Sequence, residues 1–119
     1  MEQESEYKSS VSRDKKHVIS DPETIRMIFQ RDNLQILNIL LREAKNIQEL
    51  KEATGINPGT IKRNLDKLKI KHLVIEAGTK KSNYNITMRY YIASAEEFEI
   101  NFNLPVEDIR PYLEKNEND

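Results

Sequence analysis

Apolar positions fall into two rhythms along the 119-residue chain. As far as Ile70 they recur three and four apart, the spacing that puts side chains on one face of an α-helix. Ile25, Ile28 and Phe29 set the first such face, and Asp21-Pro22 ahead of them pairs an N-cap with a proline at the first helical position. A short helix over 22–29 is expected. Leu34, Leu37, Leu40 and Leu41 make the next stripe, with Ile36 and Ile39 adding a second, and Asp32 or Asn33 stands ready to cap it. A helix apolar on more than one side is buried or partnered, so this one is the expected spine of the core. Asn46-Ile47-Gln48-Glu49 has the form of a capping box, in which the asparagine carbonyl accepts the third amide and Glu49 reaches back. Leu50 and Ala53 are expected to face inward, and Gly55 to stop the helix, since glycine enters the left-handed C′ conformation freely. Asn57-Pro58 opens the next helix at once, with Ile61, Leu65 and Leu68 on one face and His72 in line with them. Two short helices separated only by Gly55-Ile56-Asn57 form a helix-turn-helix.

From Leu73 the rhythm changes. Leu73–Ala77 reads as a short strand, Gly78–Asn85 as a polar loop with two lysines, and Ile86–Ala93 as a returning strand rich in β-formers. That is a hairpin with a basic tip. Beyond it two readings stay open. Ser94-Ala95-Glu96-Glu97 has capping-box form, whereas Phe98, Ile100, Phe102 and Leu104 alternate as in extended chain. Val106–Leu113 can form a last helix, interrupted or ended by Pro111. Met1–Lys16 is polar and lacks the apolar content to fold. The expected organisation is a disordered arm over 1–17, a folded domain over 18–93, an extension over 94–115 with room for a dimerisation helix, and a disordered tail over 116–119.

The length suits one domain with a modest core. A formal net charge of −1 hides an asymmetry: residues 1–20 and 21–45 are each neutral, 46–94 carry +5 and 95–119 carry −6. A basic middle segment of this kind points to nucleic acid. The absence of cysteine excludes disulfides, thiolate metal sites and cysteine nucleophiles, and fits a cytoplasmic location. No apolar run approaches the ~18–20 residues of a membrane span. Met1–Ser20 has no apolar core of a secretory signal. There is no Ser/His/Asp set, no phosphate-cradling glycine loop and no histidine cluster, so neither an enzyme nor a bound cofactor is expected.

Helix, helix, helix-turn-helix and a basic hairpin, in that order, resemble the ArsR-like winged-helix regulators. The resemblance covers residues 21–93. Its carriers are Asp21-Pro22, Ile47-Gln48-Glu49-Leu50, the stretch from Ile56 to Leu68, Val74, the glycine-lysine wing and Tyr90-Tyr91. It implies an α+β winged helix-turn-helix, a helical bundle with a two-stranded β-hairpin wing, and a non-enzymatic regulator that binds double-stranded DNA as a homodimer. In the family a first and a last helix build the dimer, which implies 22–29 and 104–114 here. His72 stands where the family usually has glycine, and histidine tolerates positive φ better than most residues. The family's thiolate metal motif is absent, so metal sensing is not implied.

If Ile61, Leu65 and Leu68 face inward, the opposite face of a recognition helix over 58–71 carries Gly59, Thr60, Lys62, Arg63, Asp66 and Lys67. Arg63 can pair with guanine through two parallel hydrogen bonds, Thr60 can reach a base edge or a phosphate, and Asn64 can pair with adenine if it points outward. Lys62 and Lys67 suit phosphates. Asn57 caps the helix and can also donate to phosphate, and Gly59 would let the backbone approach one. Asp66 can equally pair with Lys62 or Lys69 and is left out of the site. On the wing over 78–85, Lys80, Lys81, Ser82 and Asn83 form the tip. Arg89 on the return strand can reach the DNA backbone or pair with Glu76. Tyr84, Tyr90 and Tyr91 are expected to pack. The competing reading is a winged helix used for protein contacts, with the acidic tail binding a basic partner.

Overall fold

In the computed structural model the structure describes residues 11–113. The expectations for residues 1–10 and 114–119 lie outside them. The order is β1 (Asp14–Ile19), α1 (Pro22–Ile28), α2 (Arg31–Leu40), α3 (Ile47–Thr54), α4 (Pro58–Ile70), β2 (Val74–Lys81), β3 (Thr87–Ala93), β4 (Ala95–Ile100) and a 3-10 turn (Arg110–Tyr112).

α1 starts where the Asp21-Pro22 signal places it. Asp21 Oδ2 accepts from the Thr24 hydroxyl at 2.7 Å and the Thr24 amide at 2.9 Å, and these bonds hold its carboxyl below the usual aspartate range. α2 differs from expectation at its start. It begins at Arg31 behind Gln30, which makes no side-chain cap, so neither Asp32 nor Asn33 serves as one. The earlier start turns Asn33 inward. There its Nδ2 donates to the Met27 carbonyl at 2.9 Å and to Gln30 Oε1 at 3.1 Å, tying α2 to the end of α1. Ile36, Leu37 and Leu40 are fully buried, whereas Leu34, expected in the stripe, stays 41% exposed.

The capping box of α3 is present in both halves: Glu49 N donates to Asn46 Oδ1 at 2.8 Å, and Asn46 N to Glu49 Oε1 at 3.0 Å. Gly55 ends the helix at φ 77°. The inward face is Ile47 and Leu50 with Thr54; Ala53 faces solvent, contrary to expectation. α4 buries Ile61, Leu65 and Leu68 completely and ends at Ile70, one residue short of the expected 71. His72 then takes φ 62° while the Leu73 amide donates back to the Leu68 carbonyl at 2.9 Å. Its ring is exposed and does not extend the apolar face.

β2 and β3 pair antiparallel from Val74↔Ala93 out to Lys81↔Thr87. β2 runs four residues further than expected because Gly78, at φ 131°, is absorbed by a bulge opposite Tyr90–Tyr91 and does not break the strand. The tip is thereby shortened to 82–86. It is organised by Ser82, whose hydroxyl accepts from the Tyr84 and Ile86 amides at 3.2 Å each, and by Asn85 at φ 64°. Lys45 and Tyr91 exchange two backbone hydrogen bonds, which fixes the entry to α3 against the wing.

The largest departure is at the two ends of the domain. Residues 14–17, expected in a disordered arm, belong to β1, which pairs parallel with β4 from Asp14↔Ala95 to Ile19↔Ile100. Ile19 enters the core, Arg13 Nη1 donates to the Ala95 carbonyl at 2.9 Å, and Lys16 pairs with Glu99 at 2.8 Å. Residues 95–100 resolve the open choice in favour of strand, with Phe98 and Ile100 turned inward. The last helix is reduced to a 3-10 turn. Asp108 there receives the Arg110 amide at 3.0 Å and its guanidinium at 2.9 Å, a local closure that competes with helix beside Pro111. One core joins Ile36, Leu40, Leu50, Leu65 and Leu68 to Leu73 and Tyr91 of the hairpin region.

Candidate nucleic-acid interface

α4 is the element that positions most of the expected site. Asn57 caps it, accepting the Gly59 amide at 2.7 Å. A Cβ on Gly59 would stand 3.1 Å from that same Asn57 oxygen, so the glycine gives the cap room whether or not a phosphate approaches. With Ile61, Leu65 and Leu68 buried, Lys62, Arg63 and Lys67 project to solvent; Thr60 and Asn64 are half-buried at the edges of that face. Lys62 bridges both Asp66 oxygens at 3.0 and 2.9 Å, and Arg63 Nη2 lies 3.4 Å from Thr60 Oγ1. Both pairs are exposed, so phosphate or a base edge can compete for the cations.

The wing is rearranged relative to expectation. Lys80 and Lys81 are strand residues of β2, with Lys81 opposite Thr87 and Lys80 opposite Met88. Ser82 and Asn83 occupy the tip, but the Ser82 hydroxyl is engaged in holding the turn. Tyr90 and Tyr91 are buried as expected. Tyr84 is 85% exposed and Ile86 61%, contrary to the packing expected of Tyr84 and the strand place expected of Ile86.

Helix and wing meet at a cleft of about 330 Å³, where Lys62 of α4 and Arg89 of β3 stand with Asn46, Gln48 and Thr87. Among the described residues no carboxylate lines it. Gln48 and Thr87 were not singled out from the sequence. The signal for Thr87 was its two-residue spacing from Arg89, which puts both on one face of β3. Glu76 sits behind Arg89, accepting Lys69 Nζ at 2.7 Å with Arg89 at 3.9 Å. The hydrogen bond from Lys69 holds the Glu76 carboxyl below the ordinary glutamate range, and the same bond raises the Lys69 ammonium. Of the two partners open to Arg89, then, the protein supplies Glu76, loosely.

Neither a family model nor a curated protein sequence matches the chain. Solved structures do. The diamide-treated YodB from B. subtilis superposes with a TM-score of 0.50 at 18% identity, over 60% of this chain and 69% of that one. At that identity the likeness is one of fold. The fold is a winged helix-turn-helix. HlyU from Vibrio cholerae N16961 gives 0.49 at 22% identity, over 61% of this chain and 73% of its own. The homodimeric winged helix-turn-helix DNA-binding domain of Mb0332 from Mycobacterium bovis gives 0.47 at 26%, over 62% and 66%.

Among the described residues no three histidine, aspartate or glutamate side chains gather where they could hold a metal ion, and no helix is long and apolar enough to cross a membrane.

Proposed function

We propose that the chain is a DNA-binding transcriptional regulator, cytoplasmic, without enzymatic activity or metal sensing, and similar to the ArsR-like regulators. The observation that carries this reading is the cleft, lined by no carboxylate among the described residues, in which Lys62 of α4 and Arg89 of the wing stand together with Gln48. A helix and an adjacent hairpin that present donors on one side match a major groove and its flanking backbone. In this reading Arg63 reads guanine, Thr60 and Asn64 meet base edges, and Lys62 and Lys67 hold phosphates. Lys80, Lys81 and Asn83 follow the adjacent backbone or minor groove, while Ser82 shapes the tip. Asn57 and Gly59 bring the start of α4 close to a phosphate. The functional unit is a homodimer, which matches two half-sites about one helical turn apart. Leu104, Ile109 and Leu113, all more than half exposed on the C-terminal segment, are the apolar groups a second copy would cover.

Fluorescence anisotropy with random duplex DNA at several salt concentrations tests the DNA reading. Affinity should fall steeply with salt, and Arg63→Ala with Lys67→Ala should flatten the log–log slope by about one unit for each phosphate left without its cation. Absence of binding at low salt would overturn it and leave the protein-contact module in its place. Sedimentation equilibrium tests the dimer: a monomer at every accessible concentration rejects it.

A further inference from the structure

α1 with the two residues after it, and the end of β4 with the segment that follows, line a second cavity, of about 420 Å³, that shares no residue with the cleft between α4 and the wing. Its size falls within the ~300–1,000 Å³ typical of small-molecule sites. Ile25 and Phe29 form one wall. Ile100, Phe102 and Tyr112 form the other, the last two rings 4.9 Å apart and inclined at 60°. Among the described residues its polar side chains, apart from the tyrosine hydroxyl, are Arg26 and Gln30. The Gln30 carbonyl is already taken by Asn33 at 3.1 Å, which leaves its amide hydrogens as donors.

Arg26 is the unusual member. Its Nε is buried and has no hydrogen-bond partner among the described residues, and no described acid forms an ion pair with it. The Nε is too buried for a ligand to touch, so an acceptor in the cavity meets the terminal nitrogens of the guanidinium. The acceptor that matches best is a carboxylate, because the bond is charge-assisted and the planar fork can hold both oxygens. Arg26, the one cation among the described lining residues, set in apolar and aromatic walls, selects a negative charge on an apolar body. We propose that this cavity binds a small amphipathic monocarboxylate. Its alkyl or aryl body lies between Phe29 and Phe102, and its carboxylate meets Arg26 with the Gln30 amide as a second donor.

The test is a titration of the isotope-labelled full chain, followed by NMR, with octanoate and with octanol as the uncharged control. Octanoate should shift the Arg26 Nε–H resonance and the amides of Phe29 and Phe102. It should bind about ten-fold more tightly than octanol, the scale of one charge-assisted contact. Arg26→Gln should abolish that preference and leave octanol binding unchanged, and Arg26→Lys should keep part of it. Phe102→Ala, at a half-exposed position, should weaken both ligands alike and serves if the Arg26 variants fail to fold. Equal affinity for the two ligands, or shifts that miss Arg26, overturn the proposal. So does a dimer that excludes octanoate while Phe29→Glu yields a monomer, because the cavity would then belong to a second copy. None of these readouts involves DNA, so failure here is separable from failure of the DNA reading.

Discussion

Single residues fix the ends of the helices. Asn46 satisfies the Glu49 amide and is buried, so Asn46→Ala should lower stability by about 1 kcal/mol, read from the midpoint of chemical unfolding. His72 sits in the left-handed region, where a β-branched side chain crowds its own backbone. His72→Val should therefore cost roughly 1–2 kcal/mol, whereas His72→Gly should stay close to the parent. Asp21 titrates lower folded than unfolded because Thr24 donates to it twice. A depressed carboxyl contributes stability that is present above the ordinary aspartate value and lost as pH falls through the folded one. Unfolding midpoints should decline over that acidic window, and Asp21→Asn should flatten the decline.

At the scale of elements, α4 and the wing are joined by a shared core and by Glu76, which accepts from Lys69, while the Lys45–Tyr91 bridge ties the entry to α3 to the return strand. Glu76 occupies Lys69 and lies close to Arg89 behind the cleft. Glu76→Gln removes that negative charge. In the DNA reading it should raise affinity and steepen the salt dependence by up to about one unit per cation released. An unchanged slope in the anisotropy titration would mean that neither cation contacts phosphate. The elements themselves were legible to differing degrees. Helices announced by a cap and a proline, such as those after Asp21 and Asn57, begin where the sequence places them. α2, which lacks such a signal, is preceded by Gln30 at the cap position, two or three residues before the expected Asp32 or Asn33, and that shift turns Asn33 into a buried link to α1. The hairpin was legible as a hairpin. Its tip was not, because a glycine between polar residues reads as a turn unless the partner strand shows that it is a bulge.

For the whole molecule the decisive contact is β1 with β4. Met1–Lys16 is polar enough to read as an arm, yet the strand it enters places Ile19, at 4% exposure, in the main core. Ile19→Ala should cost ~2–5 kcal/mol by leaving a cavity, read from thermal unfolding of the variant. The same pairing brings Glu99 to Lys16, so this part of the acidic segment is engaged at the N-terminal strand.

The sequence alone determined what rests on short-range chemistry: four helices, the caps at Asp21, Asn46 and Asn57 and the stop at Gly55, the helix-turn-helix, the hairpin, the buried face of α4 and the cations opposite it. Each depends on residues within one or two turns of one another, where propensity, capping and periodicity act directly. Tertiary structure decided what depends on residues far apart in the chain. It paired 14–19 with 95–100, a match between strands some eighty residues apart that no local pattern encodes. It placed Gln48, Lys62 and Arg89 on one cleft, and it enclosed Arg26 between α1 and the C-terminal segment. Such neighbours are set by which apolar faces can be buried together, and only the assembled core selects that combination.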